Sequence, residues 1–188
     1  MNKSFRFDSE KIIFITGGAR SGKSSFAVAE ASRINGRKAY IATAEALDEE
    51  MRQRIENHKR QRGDEWDTYE EPIRIADVIK KTEGKYSVIV IDCLTLWLSN
   101  VMNSGLDIKA EIECLISSLL TPYSSLMYIV SNEVGMGIVP ENEMARKFRD
   151  MAGILNQKIA EVSDRVYMVI AGIPIKIKDK EKHDTGDN

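Results

Sequence analysis

Short runs of β-branched and aliphatic residues recur along the chain, each followed by a longer stretch in which apolar residues return every three or four positions. The short runs predict strands over residues 12–16, 38–43, 86–92, 126–131 and 165–171. Strands alternating with helices are the signature of an α/β fold, a parallel sheet covered by helices. The run Val88-Ile89-Val90-Ile91 is apolar at every position, as a central strand buried on both faces requires. A last short strand over 173–177 has only Gly172 and Pro174 available for a tight turn, so antiparallel pairing with its predecessor is expected. The clearest helix starts near Pro140, with Met144, Phe148, Ala152, Leu155, Ile159 and Val162 on one face. Pro140 suits its first position, and Glu141 and Glu143 complement its positive end. The apolar face over 101–120 would serve either the core or a subunit contact.

A chain of 188 residues that is 43% apolar can bury one continuous core. The expected organisation is a single domain over 1–178, opened by an N-terminal extension over 1–10 and closed by a charged, disordered tail over 179–188. A formal charge of −2, with both signs mixed along the chain, lacks the basic excess of a dedicated nucleic-acid binder. Cys93 and Cys114 lie in apolar stretches without CxxC spacing and read as buried thiols in a reducing compartment. No apolar signal region opens the chain, and no window approaches the roughly 18 apolar residues of a membrane span. A cytoplasmic location is expected.

Into this framework falls Gly17-Gly18-Ala19-Arg20-Ser21-Gly22-Lys23-Ser24, which matches GxxxxGK[ST] at every specified position. It stands directly after a predicted strand and before a predicted helix over 24–33. Glycines let the backbone curl so that successive N–H groups face a phosphate, and the positive end of the helix adds to the attraction. Lys23 can then bridge the phosphates of a nucleoside triphosphate and Ser24 can hold Mg²⁺. A mere glycine-rich turn needs neither residue. Asp92 ends the buried strand where a Walker-B-type acid would hold the magnesium shell; the alternative is a helix cap, since Thr95 could begin a helix.

Residues 51–62 carry five positive side chains against one negative, which makes them an anion site or a solvated face. On a helix, His58 would have Arg54 one turn before it and Arg62 one turn after. Positive neighbours favour the neutral imidazole, the form able to attack phosphorus, and would stabilise charge developing on the phosphates. A histidine merely solvated on a charged helix is the competing reading. His183, in the tail, is set aside.

Taken together, these segments resemble the bifunctional adenosylcobinamide kinase/adenosylcobinamide-phosphate guanylyltransferase family. The resemblance rests on the Gly17 to Ser24 loop, on Tyr40-Ile-Ala-Thr43, and on Arg54-Ile-Glu-Asn-His-Lys59 followed by Trp66 and Glu70-Glu-Pro72. It continues through Asn132-Glu-Val-Gly-Met-Gly-Ile-Val-Pro-Glu-Asn142, Phe148 to Gln157 and Gly172 to Lys178. It implies a three-layer, doubly wound, mostly parallel sheet of the P-loop NTPase type. It also implies two reactions, phosphorylation of adenosylcobinamide by ATP or GTP and transfer of GMP from GTP to that phosphate through a histidine-bound GMP. His58 is the matching nucleophile; Ala42, Thr43, Ala44, Lys59, Arg60, Gln61 and Arg62 would line the nucleotide site, and Glu70 and Asp92 would complete it. A homo-oligomer with its active site near a subunit boundary is implied as well.

The Asn132 to Asn142 segment reads as a loop at the carboxyl end of the sheet that contacts corrinoid or nucleotide, or else as a tight crossover with Met136 filling core space. The extension, the tail, and Asn57 where some relatives carry a second histidine depart from the family pattern. A plain P-loop small-molecule kinase is the nearest rival. A regulatory GTP switch lacks an NKxD guanine reader, and its only DxxG-like string, Asp150 to Gly153, falls inside the strongest predicted helix. A nucleic-acid motor is disfavoured by the balanced charge.

Overall fold

The computed structural model describes residues 11–45, 63, 65–122 and 124–179. Its strands are β1 (Ile12–Gly17), β2 (Lys38–Ala42), β3 (Trp66–Glu70), β4 (Val88–Asp92), β5 (Leu126–Val130), β6 (Arg165–Ile170) and β7 (Ile173–Lys178). The helices are α1 (Lys23–Ser32), α2 (Ile75–Lys81), α3 (Leu94–Ser104), α4 (Ile108–Leu120) and α5 (Glu143–Val162). One seven-stranded sheet runs in the order β3-β2-β4-β5-β1-β6-β7. All neighbours pair parallel except β6 and β7, the antiparallel hairpin anticipated from the short 171–172 connection.

The burial of β1 and β4 on both faces follows from their unbroken apolar runs. Ile12, Phe14, Ile89 and Ile91 point into one core, shared with Ile75 and Ile79 of α2, Leu94 and Trp97 of α3, Leu115 of α4 and Leu155 of α5. Ile13, Ile15, Val88 and Val90 point into a second core under Ala27 and Ala31 of α1. Among the described residues the three layers are therefore unequal, with four helices on one face and α1 on the other. Each fully buried Ile, Leu or Val contributes on the order of 2 kcal/mol to holding them together.

Several local expectations are revised. Strand β3, with sequence WDTYE, is not evident from its pattern because among the described residues it is an edge strand bonded to β2 alone and keeps acidic residues on its rim. The apolar face over 101–120 is two helices. Gly105, at φ 77°, ends α3, and the Asp107 carboxylate caps α4 by accepting from the Lys109 and Ala110 amides. Helix α5 starts at Glu143, with the Asn142 side chain accepting from the Ala145 amide at 3.1 Å. Pro140 thus precedes the cap instead of opening the helix, because only Asn142 offers the oxygen that an N-cap needs. Met144 points away from the core and is 70% exposed. Cys93 is buried as expected, but Cys114 is exposed, since α4 turns Ile112, Leu115 and Leu119 inward instead.

Candidate active site

Parallel strands bring the ends of β1, β2, β3, β4 and β5 to one edge of the sheet, the edge at which open α/β proteins bind ligands. The phosphate loop leaves β1 there. Gly17 has φ 149°, and a Cβ on it would lie 2.3 Å from the Val169 carbonyl oxygen of β6, so glycine is required. Gly22, at φ 99°, occupies the N-cap position of α1, close enough to the β6–β7 turn that a Cβ would meet Gly172 Cα at 3.4 Å. That turn braces the loop, because the Gly172 amide donates to the Ser21 carbonyl at 2.9 Å. Arg20, also at positive φ, is exposed together with Gly18 and Ala19.

Lys23 opens α1 and is buried, its ammonium donating to the Gly18 carbonyl at 2.6 Å and to Ser21 Oγ at 3.4 Å. The loop thus wraps a positive charge. Ser24 follows, half-buried in the first turn of α1, and no acidic residue occupies that turn to compete with a phosphate for the helix's positive end.

Alternation along β4 puts Asp92 on the same sheet face as Val88 and Val90, which is the α1 face. Its Oδ2 accepts from the Tyr40 hydroxyl of β2 at 2.8 Å. The helix that follows is capped at Cys93, so Asp92 is not the cap residue. Thr95 lies inside α3, fully engaged. Its hydroxyl meets Ser131 Oγ at 3.1 Å and accepts from the Asn132 amide at 2.6 Å, which ties α3 to the end of β5. Burial pushes the Cys93 thiol up to about 11, with the nearby Asp92 charge adding to the shift, so it stays protonated and un-nucleophilic at neutral pH.

The other site residues divide into two groups. Ala42 is buried and Ala44 half-buried at the end of β2, and Glu70 is exposed at the end of β3, directly opposite Ala42 in register. Thr43 is fully buried, its hydroxyl donating to the Cys93 carbonyl at 2.7 Å and accepting from the Cys93 amide at 2.8 Å. It locks β2 to β4 and so fixes where Asp92 stands. His58, Lys59, Arg60, Gln61 and Arg62, with Arg54, lie outside the described residues.

Three further residues support this edge. Tyr40 aims Asp92. Asn100 of α3 donates to the Thr43 carbonyl at 2.8 Å and the Pro72 carbonyl at 3.2 Å, gathering the ends of β2 and β3. Asn156 of α5 donates to the Asn132 carbonyl at 3.1 Å. Tyr40 and Asn156 fall within segments that carry the family resemblance, while Asn100 shows in sequence only as an asparagine in a helix. The loop over 132–142 hangs between these supports. The Glu133 amide donates to the Gly17 carbonyl at 2.9 Å, while Met136 is 76% exposed and fills no core space.

A phosphate loop on β1, its lysine wrapped by the backbone and an acid on the same sheet face two strands away define a P-loop nucleotide-binding enzyme of the α/β class. Structural likeness agrees on the fold. A prototypical ATPase from the type III secretion system of pathogenic bacteria superposes with a TM-score of 0.52 at 11% identity, covering 88% of this chain and 56% of that one. Sequence is more specific, and residues 13–177 match the family described as Cobinamide kinase / cobinamide phosphate guanyltransferase, to which this chain belongs. The bifunctional adenosylcobalamin biosynthesis protein CobU of Escherichia coli (strain K12) is 37% identical over 185 residues, 89% of this chain and 99% of that protein. The bifunctional adenosylcobalamin biosynthesis protein CobP of Pseudomonas aeruginosa is 40% identical over 166 residues, 87% of this chain and 95% of that one.

Proposed function

We propose that this chain phosphorylates the aminopropanol hydroxyl of adenosylcobinamide with a nucleoside triphosphate and then transfers GMP from GTP to that phosphate. Membership of the family supports the reaction pair. The observation that carries the site reading is the Lys23 ammonium inside a loop in which Gly17 is sterically obligatory and Gly22 holds a positive φ, on the same sheet face as Asp92.

Residues 17–24 would hold the β- and γ-phosphates, the Lys23 ammonium exchanging its carbonyl and hydroxyl partners for phosphate oxygens. Ala42, Ala44 and Glu70 would border the nucleotide beyond the phosphates. The loop also implies Mg²⁺, and the residues fit it. One carboxylate and one hydroxyl, Asp92 and Ser24, suit a hard cation that keeps water and phosphate oxygens as its remaining ligands. When bound, the ion would neutralise charge on the phosphate oxygens; Tyr40 would keep the carboxylate oriented toward it.

In the second reaction the His58 imidazole would attack the α-phosphorus of GTP. An N–P bond forms as the bond to the α–β bridging oxygen breaks, and pyrophosphate leaves with the electron pair. An oxygen of adenosylcobinamide phosphate then displaces the histidine and carries away GMP. Lys59, Arg60 and Arg62, with Gln61, would supply donors to the phosphates during both displacements. Splitting the transfer lets GMP be activated before the bulky corrinoid phosphate approaches.

The assembly is proposed to be a homo-oligomer. Its support is the outer hairpin, where Ile170, Ile173 and Ile175 are 50%, 65% and 47% exposed on one side of the sheet edge. A cytoplasmic location is proposed from the two free thiols. No helix among the described residues is long and apolar enough to cross a membrane.

A His58→Ala variant, assayed separately for the two reactions, tests this reading. Guanylyl transfer and the acid-labile protein label from α-labelled GTP are lost, while phosphorylation of adenosylcobinamide is at least partly kept. Survival of the label in the variant would remove His58 as the nucleophile, and absence of any label on the wild-type protein would leave a plain P-loop kinase.

A further inference from the structure

From the loop over 132–142 we infer that this chain seats the acceptor on Met136, Ile138, Val139 and Met144, which form a platform for a large planar cation with apolar faces. The inference rests on the reading that cobinamide is the acceptor. Those four side chains are 76%, 96%, 62% and 70% exposed, a density of uncovered apolar groups that a solvated crossover loop does not need.

The loop is built to present them. Its base is pinned by Asn156 to the Asn132 carbonyl and by the Glu133 amide to the Gly17 carbonyl. Its far end is held by the Arg146 guanidinium, which donates to the Pro140 and Glu141 carbonyls, and by the Asn142 cap. Between these anchors the apolar side chains project from a fixed backbone. One hydrogen bond, from the Glu133 amide to the Gly17 carbonyl, joins the base of the loop to the first glycine of the phosphate loop.

Charge narrows the occupant. From Asn132 to Ala145 the chain carries Glu133, Glu141 and Glu143 and no lysine or arginine, and the Arg146 guanidinium that follows is engaged on the Pro140 and Glu141 carbonyls, so the segment is net acidic and favours a cation over a nucleotide's phosphates. Cobinamide has the complementary chemistry. Its corrin ring around cobalt(III) is a cation with broad apolar faces, and its amide arms and aminopropanol hydroxyl leave from the rim. Methionines suit such a ring because their soft, unbranched side chains mould to an irregular face. The rim hydroxyl then points toward the phosphate loop while the ring stays outside it.

The test compares the wild-type protein with an Ile138→Ser/Met136→Ser variant and, separately, with Glu141→Gln/Glu143→Gln, measuring phosphorylation of cobinamide at varied cobinamide and at varied nucleotide. The apolar variant is expected to raise the KM for cobinamide about tenfold with kcat and the nucleotide KM unchanged. The charge variant raises the same KM at low salt, and the difference fades at high salt. Sedimentation of each variant reports assembly. An unchanged cobinamide KM overturns the inference, as does a rise that accompanies loss of the oligomer or a matching rise in nucleotide KM. If the wild-type protein does not phosphorylate cobinamide at all, the functional reading fails instead.

Discussion

At the scale of single residues, the site depends on side chains that hold other side chains. Asp92 can serve as the acid of the phosphate site only if its carboxylate is kept on the α1 face, and the Tyr40 hydroxyl donates to it at 2.8 Å from a buried ring. Tyr40→Phe keeps the ring and removes only the donor. A hydrogen bond to a charged group contributes about 1.5–3 kcal/mol. The variant is therefore expected to lower kinase kcat by about tenfold, to raise the Mg²⁺ concentration needed for half-maximal rate, and to lower the thermal midpoint by several degrees. A titration of rate against Mg²⁺ checks this. An unchanged Mg²⁺ dependence would mean that the hydroxyl does not position Asp92. Sequence displayed Tyr40 as a strand residue that opens the Tyr40 to Thr43 segment but not its role, since a partner 52 residues away is visible only after β2 and β4 are paired.

At the scale of elements, the carboxyl edge is a set of strand ends that must be kept in mutual register. Asn100 performs this for β2 and β3 from α3, with one amide group donating to two carbonyls. Asn100→Ala leaves both carbonyls without that donor at a half-buried position and is expected to cost about 1–3 kcal/mol of folding stability. A lowered urea midpoint with an unchanged denaturant slope measures it. An accompanying rise in nucleotide KM would follow from the loosened ends of β2 and β3. Elements also account for where pattern reading stopped. Strands with continuous apolar runs, such as β4, were legible because burial on both faces leaves no polar position. Strand β3 was not, because an edge strand with a wet rim alternates too weakly, and α2, only seven residues long, is too short to show a period. The break between α3 and α4 is carried by Gly105 and Asp107, local signals hidden within an unbroken apolar face.

At the scale of the whole molecule, the described layers are unequal and the sheet ends in a hairpin whose isoleucines are exposed among the described residues. On β7, the pairing of Ile173 with Ile170 and of Ile175 with Met168 sets a row of apolar side chains along one side of the outer edge. A second copy of the chain covering that row is expected. Ile173→Ser combined with Ile175→Ser should lower the sedimentation mass while leaving the monomer folded, since both residues are already exposed. If the subunit boundary also completes the active site, guanylyl transfer falls with the mass. A mass that does not change would place any interface elsewhere.

The amino-acid sequence by itself determined the parts of this protein that depend on neighbours along the chain. These are the phosphate loop with its preceding strand and following helix, the unbroken apolar run of β4, the short connection that makes β7 antiparallel, and the motif set that identifies the family. Each is a local pattern whose physical cause, a backbone curl or burial on two faces, acts within a few residues. Tertiary structure alone decided that Asp92 faces the same layer as Lys23, that Thr43 is a buried lock on Cys93, and that Asn100 and Asn156 tie the edge together. It also decided that Met136 and its neighbours stand outside the core. These outcomes depend on strand order and on the side of the sheet each residue faces, which no stretch of chain can specify before the strands are paired.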